Sequence, residues 1–310
     1  MTARFSAIAI GAVAIVLVLA QDVDPSTALY HTWQYALALT IAIVVLLAYA
    51  NDVRRGKHGP RGRRLLLAVA GALLVAFGGL ASGLLGPDTA EVTGTPGTVV
   101  PIPAIGAAAF FAPADAGVIA RGAGTITLRR RDGAAITLAG AARRPFGESL
   151  LYLVPHAAAY VEPFDERGAR LTVTQPANAA FLSPVLFFPQ RQRIGAFDVP
   201  LDTFAAPARH RVVRALYFTP AQLAQFGHAN VPRDPTRPAL VLSAGDDTGR
   251  SLGIALAESG QTVALAGIRV RVTIGSYPAL AIAAAPPPWV LGIGIAAFLA
   301  GLAWSALRSG

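Results

Sequence analysis

Residues 33–85 have the sequence WQYALALTIAIVVLLAYA-NDVRRGKHGPRGRR-LLLAVAGALLVAFGGLASGLL, in which two long apolar runs flank a short basic segment. As helices these runs would be about 27 and 31 Å long, and the hydrocarbon core of a bilayer is about 30 Å thick. The sequence therefore predicts two membrane-spanning helices that are joined by a basic loop over residues 51–64.

Two further apolar runs lie near the ends of the chain, at 5–20 and 289–307. As helices they would be about 24 and 28 Å long, enough to cross most of a bilayer. The first run has a second interpretation as a signal peptide, with Arg4 as its basic start and residues 18–20 as a cleavage site. We favour a retained helix. With 54% hydrophobic and only 14% charged residues, the chain is predicted to be a membrane protein in contact with lipid.

Basic residues predict the direction in which the helices run. The loop 51–64 contains six Lys and Arg residues against a single acid, Asp52. Because short basic loops stay in the cytoplasm, residues 82–288 are predicted to lie outside. This topology is that of a multi-pass protein of the bacterial inner (cytoplasmic) membrane with a periplasmic domain. Basic residues beside the spans also explain much of the net charge of +9, so no nucleic-acid partner is expected.

From 87 to 288 the pattern changes to short runs of period two, broken by Gly, Pro and Asp. Many short strands at close spacing predict an all-β domain, either an antiparallel sandwich or an open barrel. The domains are therefore predicted as a three-helix membrane region (1–86), a β-rich extracytoplasmic domain (87–288) and a C-terminal membrane helix (289–310).

Within the β-rich domain the sequence predicts several local features. They are a hairpin of 125–128 and 135–138 around Asp132-Gly133, a turn at 165–168, a helix beginning at Thr219-Pro220 and a loop at 230–238. Further strands are predicted at 171–174, 240–243, 252–256, 262–265, 268–274 and 280–283.

Small residues recur in the third and fourth apolar runs. Gly79 and Gly83 form a GxxxG pair, and the last run contains Gly292, Gly294 and Gly301. Small residues let membrane helices approach closely, so Gly79 and Gly83 are candidates for helix packing, with a chance pattern as the alternative. None of the four runs contains Asp, Glu, Lys, Arg or His, so an ion or proton path through the helices is not expected.

The sequence offers no recognisable catalytic or metal-binding pattern. It has no Cys, and it contains no phosphate-binding loop, nucleophile elbow or His-rich metal spacing. His156, His210 and His228 are far apart, and we expect ordinary surface or partly buried histidines there. The arginine clusters at 129–131 and 209–211 favour solvated strand edges, with binding of an anionic partner as the alternative. The chain is therefore predicted not to be an enzyme.

Two segments and the layout resemble the ResB family of cytochrome c biogenesis proteins. The first segment is LYHTW (29–33), which leads into a span that ends in DVRR (52–55). The second is LAESGQTVALAGIRV (256–270), followed by Tyr277, an apolar strand, prolines and the last span. Members of this family have three N-terminal spans, a large extracytoplasmic β domain and one C-terminal span, which is the layout predicted here.

The resemblance implies a non-enzymatic assembly factor that works with a haem-handling membrane protein of the ResC type. Together they would present haem outside the membrane for attachment to apocytochrome c. The chain lacks the Cys common near the end of the second span and the histidine common in the third span. His31 and His58 are the nearest remaining candidates for contact with haem.

The missing histidine favours a second hypothesis, a structural accessory subunit. In that case a ResB-derived scaffold would belong to a larger energy-converting complex, respiratory or photosynthetic, because a scaffold needs the shape of the family but not the ligand. A solute-binding or transport component is a third interpretation, and the absence of polar groups in the spans disfavours it.

Overall fold

A computed structural model describes residues 2–23, 29–86, 90–147, 149–176, 182–225 and 236–307. The chain divides into two compact units. The first, called the helical unit, contains Met1–Val92, Ala142–Tyr152 and Leu280–Gly310. The second, called the β unit, contains Thr93–Ala141 and Leu153–Ala279.

Within the described ranges, four helices are long and apolar enough to cross a membrane, as the sequence predicts: α1, α2, α3 and α6. Two short helices lie between them in the sequence. The helices are α1 (Thr2–Val23), α2 (Trp33–Arg54), α3 (Gly59–Leu85), α4 (Ala116–Arg121), α5 (Pro220–Gln225) and α6 (Pro288–Leu307).

The connection between α2 and α3 is shorter than the predicted loop. Thr32 caps α2 by accepting a hydrogen bond from the Tyr35 N–H at 3.3 Å, and the helix continues through Arg54. Helix α3 already begins at Gly59, with a proline in its first turn. Gly56, with φ of 81°, supplies a left-handed residue for the tight turn. Several basic residues of the segment 51–64 therefore lie on helix ends.

The described strands form three antiparallel sheets. One has six strands in the order β1-β15-β7-β6, with β14 paired to β15 and β8 paired to β7; the second has the order β13-β12-β11-β10-β9; the third has the order β2-β3-β4-β5. The strands are β1 (Ala90–Val92), β2 (Val99–Ile102), β3 (Ala107–Phe111), β4 (Thr125–Arg130), β5 (Ala135–Ala139), β6 (Arg144–Phe146), β7 (Ser149–Phe164), β8 (Val185–Leu186), β9 (Gln190–Ile194), β10 (Phe197–Ala206), β11 (Arg211–Phe218), β12 (Ala239–Gly245), β13 (Ser251–Glu258), β14 (Thr262–Leu265) and β15 (Ile268–Ala284).

The main core of the β unit contains side chains from two of these sheets. Val161 on β7 and Val270 on β15 belong to the same buried cluster as Phe204, Val213 and Leu242 from β10, β11 and β12. All five side chains are at most 1% exposed. Packing of this kind buries one face of each sheet, as expected of layered antiparallel sheets.

Several local predictions are confirmed. The β4–β5 hairpin pairs Arg129 with Ala135, and Gly133 has the positive φ, 89°, that its turn requires. At α5, Thr219 Oγ1 accepts from the Gln222 N–H at 3.3 Å and Gln222 Oε1 accepts from the Thr219 N–H at 3.0 Å. This reciprocal arrangement is a capping box.

Two strand predictions are wrong. Residues 171–174 do not form a regular strand, because Thr174 makes only an isolated bridge to Ala205. The separate strands predicted at 268–274 and 280–283 are one continuous strand, β15. Gly275 lets the backbone of β15 pass so close to the Ile119 carbonyl that a Cβ atom would not fit there. Of the predicted loop 230–238, residues 230–235 lie outside the described part of the chain.

Candidate functional site

His31 lies in a short turn before α2, at one end of the helical unit. The turn Leu29–His31 is a 3-10 helix, and the Tyr30 hydroxyl donates a hydrogen bond to the Val18 carbonyl at 3.3 Å. The Tyr30 ring also meets Tyr35 edge to face, with ring centroids 5.1 Å apart. Tyr30 is buried while His31 is exposed, so packing of the tyrosine holds the turn and leaves the imidazole at the surface.

His58 lies at the other end of α2, in the turn before α3. Its ring stacks on Tyr49 at 4.9 Å, and its carbonyl accepts a hydrogen bond from Arg4 Nη2 at 2.6 Å. Helix α2 has 22 residues and is therefore about 33 Å long. His31 and His58 lie beyond its two ends, so they cannot ligate the same iron.

The cavity inside the helical bundle next to Tyr49 is far too small for a haem. The cavity between Tyr49, Leu65 and Phe298 measures about 10 Å³, roughly the space of one water probe. Among the described residues of the helical unit, the buried polar side chains are Gln21, Ser82, Ser149 and three tyrosines, and none is Asp, Glu, Lys, Arg or His. Haem contact at His31 or His58 stays a prediction, and it would have to occur at the surface of the bundle.

Gly79 and Gly83 lie where α3 meets α1 and the turn before α2. A Cβ atom on Gly79 would lie 2.5 Å from Val18 Cγ2 and 2.8 Å from the Tyr35 hydroxyl. A Cβ atom on Gly83 would lie 2.5 Å from the Tyr30 carbonyl oxygen. All three distances are shorter than a van der Waals contact, so neither glycine has room for a side chain.

A second glycine contact, between α3 and α6, was not recognised in the sequence. Gly71 and Gly294 approach so closely that a Cβ atom on Gly71 would overlap the Gly294 carbonyl oxygen, and one on Gly301 would overlap the Ala68 amide nitrogen. Gly294 and Gly301 are seven residues apart, as are Gly71 and Gly78. A search for heptad spacing of small residues would have found this face.

The β unit has a break along one edge of β10. Strand β9 pairs with residues 197–201 of β10, β11 occupies the opposite edge, and Thr174 bridges Ala205 further along. Asp202 lies on β10 between these pairings, and its carboxylate binds backbone N–H groups there. It accepts backbone N–H bonds from Phe187 at 2.8 Å, Phe188 at 3.3 Å and Thr203 at 2.7 Å.

Two cavities open at this break. The first, called the aromatic pocket, is about 410 Å³ and is lined by His156, Phe187 and Tyr277 among others. The second, called the arginine pocket, is about 630 Å³ and is lined by Arg191 and Arg214 among others. Both volumes lie in the range of small-molecule sites. The pockets share three lining residues, which are Gln175, Pro189 and Asp202.

Buried aromatic side chains shape the aromatic pocket. The Tyr277 hydroxyl donates to the Ala112 carbonyl at 2.6 Å, and burial raises the pKa of Tyr277 to about 12. Phe187 meets Tyr277 edge to face at 5.7 Å. Phe188 has φ of 55°, a left-handed conformation that bulky residues rarely adopt.

The other candidate residues of the sequence do not converge. His156 lines the aromatic pocket, whereas His210 Nδ1 lies 2.9 Å from Asp247 on the surface, and His228 lies outside the described residues. Arg130 pairs with Asp132 at 3.6 Å and Arg209 with Asp165 at 3.4 Å. Each arginine cluster therefore has at least one member that pairs with an acid in a turn.

The described residues bring together no group of three or more His, Asp or Glu side chains that could hold a metal ion. The β10 break combines a carboxylate, an imidazole, two guanidinium groups and aromatic rings, which is a set suited to binding. Compared with known proteins, the chain matches no family model, no curated protein and no solved structure.

Proposed function

We propose that this protein is a ResB-like membrane assembly factor for c-type cytochromes. It stabilises haem handling by a ResC-type partner on the extracytoplasmic side of a bacterial inner membrane. One observation carries the proposal: most of the β-sheet region is inserted in the sequence between α3 and α6, and these two helices pack directly on each other through glycines. This layout of three helices, an inserted β region and a final helix is what the resemblance implies.

The proposed orientation is supported by the position of Arg4. Its bond to the His58 carbonyl places the start of α1 at the same end of the bundle as the α2–α3 turn. Arg54, Arg55 and Lys57 are exposed at that end. Basic groups concentrated at one end favour the cytoplasmic side for that end.

The experiment is purification of the tagged full-length protein in a mild detergent, followed by haem absorbance and mass spectrometry of copurifying proteins. The proposal expects a ResC-type partner, and loss of cytochrome c when the gene is deleted. If haem copurifies, His31→Ala and His58→Ala test surface ligation separately, with His210→Ala as the control. Absence of any haem-handling partner together with normal cytochrome c would refute the proposal.

A structural accessory subunit is the second candidate function. The observation that favours it is the packing of the helical unit, which buries no Asp, Glu, Lys, Arg or His among the described residues and has only about 10 Å³ of space between Tyr49, Leu65 and Phe298. Such a unit can anchor a protein in a complex without performing chemistry. The same purification separates the two functions, because a subunit is recovered stoichiometrically in a larger energy-converting complex while an assembly factor associates transiently.

A further inference from the structure

Arg191 and Arg214 present two free guanidinium groups to one pocket. Arg191 lies on β9 and Arg214 on β11, on either side of β10, and both side chains are exposed and line the arginine pocket. Within the described ranges of the chain, neither side chain makes an ion pair or a hydrogen bond. Other arginines of the β unit, such as Arg170 and Arg209, do have acidic partners.

The acid in the same pocket does not form an ion pair with either arginine and offsets only one of their two charges. Both oxygens of the Asp202 carboxylate accept backbone N–H bonds, from Phe187, Phe188 and Thr203. With two guanidinium groups and one carboxylate, the charged side chains that line the pocket sum to one positive charge. An anion is therefore favoured, and guanidinium groups bind carboxylates and phosphates with directed, charge-assisted hydrogen bonds.

The adjoining aromatic pocket is suited to binding the apolar part of a ligand. It shares Gln175, Pro189 and Asp202 with the arginine pocket, and Phe187 and Tyr277 contribute aromatic rings to it. Phe188 has a strained, left-handed backbone conformation, and its N–H donates a hydrogen bond to Asp202. Strained residues are concentrated at binding sites, where surrounding contacts compensate their cost.

We propose that the β10 break is a binding site for a small organic anion. The anionic head, a carboxylate or a phosphate monoester, is held by Arg191 and Arg214, and the apolar body lies against Phe187 in the aromatic pocket. This site is independent of the cytochrome assembly function proposed above, and it does not use His31 or His58.

The test is calorimetric titration of the full-length protein in detergent with phenyl phosphate and, separately, with benzoate. We expect saturable binding of at least one of them, and the better probe identifies the class of head group. Arg191→Gln and Arg214→Gln should each weaken binding by about tenfold. Arg193→Gln is the matched control, because Arg193 is an exposed arginine on the same strand that lies outside both pockets.

The apolar half of the site is tested with inorganic phosphate and with Phe187→Ala. Inorganic phosphate should bind more weakly than phenyl phosphate, and Phe187→Ala should reduce binding of phenyl phosphate but not that of inorganic phosphate. Two results would overturn the proposal. One is the absence of saturable binding of both organic probes, and the other is an equal loss of affinity in Arg191→Gln, Arg214→Gln and Arg193→Gln.

Discussion

The helical unit and the β unit depend on different contacts at the places where their elements meet. In the helical unit, α3 and α6 approach through backbone atoms, made possible by Gly71, Gly294 and Gly301. In the β unit, polar side chains reach the backbone instead, as Asp202 does at the β10 break and Tyr277 does at Ala112. Close backbone packing at glycines holds α6 on α3, whereas side-chain hydrogen bonds to the backbone hold the β10 break together.

This difference indicates where chemistry can take place in the molecule. A bundle packed through small and apolar side chains offers a ligand few charged groups in its interior. The β unit combines Arg191 and Arg214, which have no ion pair among the described residues, with a carboxylate and aromatic rings beside open cavities. Replacing a closely packed glycine with a larger residue should destabilise the helical unit most. Removing a side-chain hydrogen bond should destabilise the β unit most.

The largest effect is expected for Gly301→Leu. Any side chain at this position would overlap the Ala68 backbone on α3, so α6 has to move away. We expect a loss of about 3 kcal/mol in the free energy of unfolding, measured by thermal or denaturant unfolding in detergent. Gly292→Leu is the control on the same helix, because nothing lies within 4 Å of a Cβ atom there. An equal loss in both variants would contradict close packing of α3 on α6.

Asp202→Asn should be the most damaging single substitution at the β10 break. The three backbone N–H groups of Phe187, Phe188 and Thr203 converge on two carboxylate oxygens, and an amide offers them one oxygen only. We expect a loss of about 2 kcal/mol, measured by unfolding of the β unit within the full chain. Asp198→Asn, at an exposed position of the same strand, should change the stability by less than about 0.5 kcal/mol.

A smaller effect is expected for Tyr277→Phe. The ring stays in its buried position, but the hydrogen bond to the Ala112 carbonyl is lost and the carbonyl is left without this donor. The expected loss is about 1 kcal/mol. Tyr217→Phe is the control, since Tyr217 is also partly buried but its hydroxyl makes no hydrogen bond within the described ranges. A similar loss in both variants would show that the Tyr277 hydroxyl contributes nothing specific.

The helices could be predicted from the sequence more completely than the sheets. A span needs about twenty consecutive apolar residues, and 33–54 or 288–307 contain such a run regardless of what packs around them. Strand β9, with the sequence QRQRI, has no alternation of apolar and polar residues. It forms because β10, which begins after a turn of two residues, pairs with it in a tight hairpin.

The candidate site could not be predicted from the sequence for a related reason. Asp202, Arg191 and Arg214 come from three different strands, and their proximity depends on register. The contact of α3 with α6 is also made between residues more than two hundred positions apart. GxxxG spacing identified Gly79 and Gly83, and the heptad spacing of Gly294 and Gly301 required a different search.

The smallest effect, and one that depends on pH, is expected at the turn between β12 and β13. Asp246 Oδ1 accepts hydrogen bonds from Thr248 Oγ1 at 2.6 Å and from the Arg250 N–H at 3.0 Å. The Thr248 hydrogen bond, followed by that of the Arg250 backbone, holds the pKa of Asp246 below its ordinary value of 3.8. Because the pKa is lowered in the folded state, the carboxylate stabilises the fold above pH 3.8, and this stabilisation is lost as the pH falls through the folded pKa.

Asp246→Asn should therefore unfold at a lower temperature than the unsubstituted protein near neutral pH. This gap between the two unfolding temperatures should become smaller as the pH falls below 3.8. Thermal unfolding at a series of pH values from about 7 to about 3 measures this gap. Asp198→Asn, which removes one exposed charge from β10, controls for the change in net charge. A gap that stays constant with pH would mean that the Asp246 side chain acts through its shape, and then the β unit would resemble the helical unit more closely than its hydrogen bonds indicate.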